Sequence, residues 1–178
     1  MRRDGSIVPA NAAAWSLVLL RTLIGWHFLY EGYYKLALPA WSRGGAPMEA
    51  WTASGYLAAS TGPLSGTFRA LGASAVGPWI DLVVPVGLML VGISLMLGAF
   101  TRAGGMGALA FLVLFYLSAP PLEGLPGPGA EGAYLLVNKN LIEASAVLVL
   151  LAFDTGRIAG LDLFRRSRRP LREPTVTS

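Results

Sequence analysis

Residues 19–36, LLRTLIGWHFLYEGYYKL, decide the fold of this chain. With the residues on either side, they form an apolar stretch from about residue 15 to 38, and about 20 such residues suffice for a helix to cross a bilayer. Several charged and aromatic side chains interrupt the stretch. The segment therefore predicts a membrane-spanning helix that carries polar groups into the bilayer.

The composition of the whole chain agrees with a membrane protein. Of 178 residues, 54% are hydrophobic and 13% are charged, whereas a soluble domain has roughly 25% charged residues. The chain has no cysteine and one histidine. The missing thiolates exclude disulfides, Cys-ligated iron–sulfur clusters and zinc–thiolate sites, and a single histidine excludes a bis-His haem within this chain.

Three further apolar stretches predict spanning helices at about 79–100, 103–119 and 134–153. A very short turn separates the second from the third, so these two should form an antiparallel hairpin. The long loop 39–78 contains several aromatic residues among Gly, Ser and Pro, and predicts one or two short interfacial helices. We therefore expect an all-α integral membrane four-helix bundle over 1–157, followed by a basic tail over 158–178.

The distribution of basic residues predicts the orientation in the membrane, because Lys and Arg concentrate on the cytoplasmic side. Nine of the 14 basic residues fall before the first helix, in the middle turn or after the fourth helix. Both termini should therefore be cytoplasmic. This places the long loop 39–78 on the outer side of the membrane. The basic tail should contact lipid headgroups or a partner rather than nucleic acid.

Charged side chains inside a bilayer are costly and usually mark a partner or a function. His27, Glu31 and Lys35 lie four residues apart on one face of the first helix. Viewed down the helix axis, Tyr34 projects beside His27, and Arg21 projects just beyond Lys35. The fourth predicted helix opens with a second polar group formed by Lys139, Asn140 and Glu143. We expect pairs between His27 and Glu31, between Glu31 and Lys35, and between Lys139 and Glu143.

The expected topology brings both polar groups to the outer half of the membrane, where they would form a pocket under the two irregular loops. Glu31 and Glu143 are the candidate catalytic residues, as proton carriers. His27, Tyr34, Lys35 and Asn140 are candidates for contact with a cofactor. His27 could donate a hydrogen bond to a quinone carbonyl or serve as a single axial ligand. No metal site is expected.

Each of these residues also has a structural interpretation. The charged side chains could pair only to fix helix packing, and His27 could be a satisfied core residue. Arg21, also a candidate cofactor-binding residue, could contact an anion or extend to the headgroups on the cytoplasmic side.

Three segments resemble the DoxX/DoxD family of membrane proteins. The first is 19–36, quoted above; the others are LMLGAFTRAGG (95–105) and VNKNLIEASAVLVLL (137–151). They occur in the family's order, and the aromatic loop after the first helix is closer to the DoxD type. The resemblance implies a four-helix membrane protein in a redox assembly, since DoxD is linked to a thiosulfate:quinone oxidoreductase. Matched positions are Arg21, Gly25, Glu31, Gly32, Lys35, Arg102, Asn140 and Glu143.

Three functions are compatible with these observations. The first is an integral subunit of a quinone-linked oxidoreductase in a bacterial-type inner membrane, with a quinone headgroup or small anion in the pocket, bound lipid and other redox subunits as partners. The second is a non-catalytic accessory subunit of a larger respiratory or photosynthetic membrane complex. The third is a small transporter that uses Glu31 and Glu143 as ion sites, although no inverted repeat or broken helix supports it.

Overall fold

The computed structural model describes residues 10–37, 42–43, 46–47, 51–121 and 133–166. Within these ranges the protein is mostly helical. The helices in chain order are α1 (Ala10–Ala37), α2 (Ala53–Ala58), α3 (Ser65–Gly72), α4 (Gly77–Leu97), α5 (Thr101–Ser118), α6 (Lys139–Ala152) and α7 (Leu161–Arg166). Antiparallel hairpins pair β1 (Ser42–Arg43) with β2 (Ala46–Pro47) and β3 (Ala133–Tyr134) with β4 (Val137–Asn138).

Three helices, α1, α4 and α5, are long and apolar enough to cross a membrane. This identifies the chain as a membrane protein and confirms the first three predicted spans, with ends that differ by up to five residues. The two short helices expected in the loop 39–78 are also present, as α2 and α3.

The fourth predicted span, 134–153, is only partly helical. Residues 133–138 form the β3–β4 hairpin, and Asn138 then caps α6 by accepting a hydrogen bond from the backbone N–H of Leu141 at 3.1 Å. The resulting helix has 14 residues, or about 21 Å, against a hydrocarbon core of about 30 Å. The sequence prediction missed this start because the apolar residues of the hairpin continue the hydrophobic run.

Glycine permits a close approach of α1 to α4. A Cβ atom on Gly92 would lie 2.6 Å from the carbonyl oxygen of Gly25, and one on Gly32 would lie 2.5 Å from that of Pro85. The two backbones therefore touch along two turns of α1. This contact holds one face of α1 against α4 and leaves the neighbouring face for α6.

One apolar core joins the four longest helices. α1 packs on α4, α4 on α5, and α5 on α6, while α6 also contacts α1. The buried core side chains come from all four: Ile24, Phe28, Leu88, Val91, Leu95, Ala108, Leu112, Val147 and Leu150.

The helices alternate in direction, which gives the protein two different ends. The turn end contains the α4–α5 turn, the last turn of α6, and α7. The cavity end contains the last turns of α1 and α5, the first turn of α6, and the segment with α2 and α3. That segment is held by hydrogen bonds from the N–H groups of Thr61 and Gly62 to the carbonyl oxygen of Ser118, at 3.0 and 3.2 Å.

The predicted basic tail, 158–178, starts as an ordered element of the turn end. Asp162 in α7 accepts hydrogen bonds from the backbone N–H groups of Phe100 and Thr101 at 2.8 and 2.9 Å, and from the Thr101 hydroxyl at 2.7 Å. These bonds cap the first turn of α5, which lacks a local side-chain cap. Residues 167–178 lie outside the described part of the chain.

Candidate binding cavity

A cavity of about 170 Å³ lies at the cavity end, between α1, α2, α4, α5 and α6. Polar and aromatic side chains share its wall with a few aliphatic ones. The lining residues are His27, Phe28, Glu31, Lys35, Trp51, Tyr56, Leu88, Leu112, Phe115, Lys139 and Asn140. Four of the seven predicted site residues are therefore brought together in one cavity.

The α1 side of the cavity carries the predicted charged stripe. The Lys35 Nζ lies 2.5 Å from Glu31 Oε1, as expected for residues one turn apart. The same ammonium group lies 5.1 Å from the centre of the Trp51 ring, a distance typical of a cation–π contact. Lys35 therefore connects the charged face of α1 to the segment that covers the cavity.

His27 pairs with a residue of another helix. Its Nδ1 lies 2.7 Å from Oε1 of Glu143 on α6, whereas the sequence predicted Glu31 as the partner of His27 and Lys139 as the partner of Glu143. The packing of α6 against α1 brings the carboxylate closer than the neighbour on the same helix. The carboxylate accepts a hydrogen bond from Nδ1–H, and Nε2 remains as the second hydrogen-bonding atom of the ring.

Glu143 does not line the cavity itself. Its side chain is 13% exposed, and that of His27 is 41% exposed. The carboxylate thus lies behind the imidazole and can act on the cavity through His27.

Two lining residues from the loop 39–78, Trp51 and Tyr56, were not among the predicted site residues. The Tyr56 hydroxyl lies 2.9 Å from the Ser118 hydroxyl, and its ring meets Phe115 edge-on at 6.0 Å. Burial raises the pKa of the Tyr56 hydroxyl above its ordinary value. Their only sequence signal was aromatic character in a loop rich in Gly, Ser and Pro, which equally indicated a membrane interface.

The first turn of α6 supplies Lys139 and Asn140 to the cavity. Asn140 was a predicted binding residue, whereas Lys139 was expected only as the partner of Glu143. Because His27 holds Glu143, the exposed ammonium group of Lys139 is available at the cavity as a hydrogen-bond donor.

Arg21 and Tyr34 do not line the cavity. Arg21 lies ten residues before Glu31 on α1, about 15 Å along the helix, and its Nη1 donates a hydrogen bond of 2.9 Å to the Thr155 carbonyl at the turn end. Arg21 is 2% exposed, so it does not extend to the headgroups either. Tyr34 stacks on Tyr30, with ring centres 6.2 Å apart.

Asp81, near the start of α4, has a structural role beside the cavity. Its Oδ1 accepts the backbone N–H of Ala53 at 2.5 Å. This bond ties the start of α2 to α4, and α2 carries Tyr56 into the cavity wall.

The arrangement suits a small polar ligand with an aromatic or planar body. Lys35, Lys139, His27 and the Asn140 amide can donate hydrogen bonds, and Trp51, Tyr56 and Phe115 provide ring surfaces. Among the described residues, no group of three or more His, Asp or Glu side chains is placed to hold a metal ion. The cavity is thus built for hydrogen bonding and stacking.

Comparisons of the chain with protein-family models, with curated proteins and with solved structures gave no match. The resemblance to the DoxX/DoxD family therefore rests on the three quoted segments alone. The assignment of function rests on the geometry of the cavity.

Proposed function

We propose that this chain is a four-helix integral membrane subunit of a quinone-linked oxidoreductase, with both termini in the cytoplasm. The cavity would hold a quinone headgroup near the outer face of a bacterial-type inner membrane. The observation that carries the proposal is the cavity of about 170 Å³, in which aromatic rings and hydrogen-bond donors meet.

The size of the cavity fits the headgroup alone. Pockets for drug-sized ligands are roughly 300–1,000 Å³, so a site of about 170 Å³ suits one substituted ring, with an isoprenoid tail lying outside among the apolar helices. A quinone headgroup is planar, which suits the rings of Trp51, Tyr56 and Phe115. Its two carbonyl oxygens are acceptors, which suits the donors of Lys35, Lys139 and His27.

The His27–Glu143 pair supplies a proton relay for this chemistry. Quinone reduction takes up two protons with two electrons. In its imidazolium form, His27 can give the Nε2 proton to the cavity, while the Glu143 carboxylate, 2.7 Å from Nδ1, accepts the Nδ1–H hydrogen bond and holds the ring in one orientation. A proton from solvent then restores the imidazolium. Glu31 is held by Lys35, which makes it a positioning residue for the ammonium group.

The electrons would come from a partner. Without cysteine and with one histidine, the chain lacks the usual ligands of iron–sulfur clusters and bis-His haem. A second subunit that carries the redox centre, or a substrate bound beside the quinone, completes the reaction. Resident lipid is expected around the helices.

The test is equilibrium binding of a short-chain benzoquinone to the purified chain in lipid nanodiscs. We expect saturable binding, weakened at least about tenfold by Lys139→Gln, since the loss of one hydrogen bond to a charged group costs about 1.5–3 kcal/mol. Ser145→Ala is the matched control, because Ser145 is an exposed residue of α6 that bonds the Leu141 carbonyl. Absence of saturable binding would overturn the proposal.

A second function, a non-catalytic accessory subunit, is favoured by the satisfied pairs in the cavity wall. Glu31 with Lys35 and His27 with Glu143 are ion pairs that could serve packing alone. Glu143→Gln separates the two functions in the native complex. It should abolish quinone reduction with assembly intact in an oxidoreductase, and it should lower the yield of the complex or have no effect in an accessory subunit.

A further inference from the structure

The turn end carries a second cluster of charged side chains, distinct from the cavity. Arg157 Nε lies 2.7 Å from Asp154 Oδ2, and Arg102 Nη2 lies 3.5 Å from the same oxygen. One carboxylate thus draws two guanidinium groups together. The three side chains carry one net positive charge, and the side chains of Arg102 and Arg157 remain 71% and 58% exposed.

The backbone holds this cluster in an unusual conformation. Asp154 follows α6 with a φ of 46°, and Phe100 precedes α5 with a φ of 53°, in the left-handed region that non-glycine residues seldom adopt. This conformation at Asp154 ends α6 beside the start of α5. Strained residues of this kind are often kept where a ligand binds.

Large apolar side chains lie close to the cluster in the sequence. Phe100 lies two residues before Arg102, Phe153 directly precedes Asp154, and both are exposed. Leu161 and Leu163 of α7 are exposed as well, and Asp162 between them ties α7 to the α4–α5 turn. Exposed apolar groups next to guanidinium groups define an amphipathic surface.

The position of the surface indicates what covers it. It lies where α4 ends and α5 begins, and both helices are long and apolar enough to span the membrane. A residue at the end of a spanning helix lies at the level of lipid headgroups, where basic and aromatic side chains gather. The guanidinium N–H groups that Asp154 does not contact can bind the oxygens of a phosphate, because a guanidinium group presents its donors in a forked geometry.

We propose that Arg102 and Arg157 form a binding site for the phosphodiester headgroup of an anionic phospholipid, with its acyl chains against Phe100, Phe153 and α7. The single negative charge of the phosphodiester balances the net positive charge of the cluster. Zwitterionic lipids carry a choline or ethanolamine cation that the two arginines repel. This site is independent of the cavity and of quinone binding.

The test is native mass spectrometry of the purified, delipidated chain in detergent, titrated with phosphatidylglycerol or with phosphatidylcholine of the same chain length. We expect phosphatidylglycerol to bind at least about tenfold more tightly, and this preference to shrink as salt increases. Equal binding of the two lipids would overturn the proposal. This comparison uses the wild-type chain and does not depend on the folding of a variant.

Variants then locate the site. The double substitution Arg102→Gln and Arg157→Gln should abolish the preference for phosphatidylglycerol. Lys139→Gln removes a positive charge at the opposite end and should retain it. A double variant that binds phosphatidylglycerol like wild type would place the lipid elsewhere and overturn the proposal. The last measurement is competition with inorganic phosphate. If phosphate at the same concentration displaces phosphatidylglycerol, the site binds free phosphate and the proposal of a lipid site is wrong.

Discussion

The imidazole of His27 on α1 is hydrogen-bonded to the carboxylate of Glu143 on α6, with 2.7 Å between Nδ1 and Oε1. The two residues are 116 positions apart in the chain. Their contact joins the first and last of the four longest helices at the wall of the cavity. It also presents one ring nitrogen to Glu143 and leaves the other for a ligand.

A double-mutant cycle should measure this contact. We expect His27→Gln and Glu143→Gln to show a coupling energy of about 1 kcal/mol or more in the free energy of unfolding, measured in mixed micelles. The cycle of His27→Gln with Glu31→Gln is the control and should give a coupling near zero. If His27 couples strongly to Glu31 and not to Glu143, the His27–Glu31 pair predicted from the sequence is the correct one.

Substitution of Gly92 should separate α1 from α4. A Cβ atom at this position would overlap the backbone of α1, including the Gly25 carbonyl at 2.6 Å, so Gly92→Ala should destabilise the protein by about 1–3 kcal/mol. The control is Gly66→Ala in α3, where a Cβ meets nothing within 4 Å. The thermal unfolding midpoint in detergent should fall for the first variant only, and an equal effect of both would contradict the close approach.

Loss of the Asp162 carboxylate should uncap α5. Asp162→Ala removes three hydrogen-bond acceptor contacts to Phe100 and Thr101, with an expected cost of about 0.5–2 kcal/mol. Leu163→Ala, on the same short helix but exposed, should change stability little. Hydrogen exchange of the first-turn amides of α5 would locate the effect, and unchanged protection there would disprove the capping role.

Asp81 should hold α2 in place over the cavity. Asp81→Ala removes the acceptor for the Ala53 N–H, so the amides of α2 should exchange faster while those of α3 keep their rates. Since α2 carries Tyr56 into the wall, binding of a short-chain quinone should weaken in parallel. Fast exchange without weaker binding would show that the cavity does not need α2.

High pH should destabilise the packing of α2, because it ionises the partly buried hydroxyl of Tyr56. Its pKa is raised in the folded protein, mainly by burial, so the folded state holds this proton more tightly than the unfolded state. The resulting stability is complete below the ordinary pKa of 10.0 and is lost as the pH rises towards the folded pKa. A difference titration of tyrosinate absorbance, wild type minus Tyr56→Phe, should show a transition above pH 10.0. A transition at or below that value would contradict the burial.

The helix ends show where the sequence prediction reached its limit. Hydrophobic length identified α1, α4 and α5 because a spanning segment is a local property of about 20 residues. The start of α6 was wrong by five residues: the apolar residues of the β3–β4 hairpin continue the same run, and only the side-chain cap by Asn138 marks the true start.

The sequence by itself determined that the chain is helical and enters a membrane, and that His27, Glu31 and Lys35 share a face of α1, since helical periodicity places residues four apart on one side. Tertiary packing alone decided the rest. It paired His27 with Glu143, brought Trp51 and Tyr56 into the cavity wall, and gave Arg21 the Thr155 carbonyl as its hydrogen-bond partner. These contacts depend on helix-to-helix approach at Gly25, Gly32 and Gly92 and on loop anchoring by Asp81, neither of which is encoded in the spacing of any single segment.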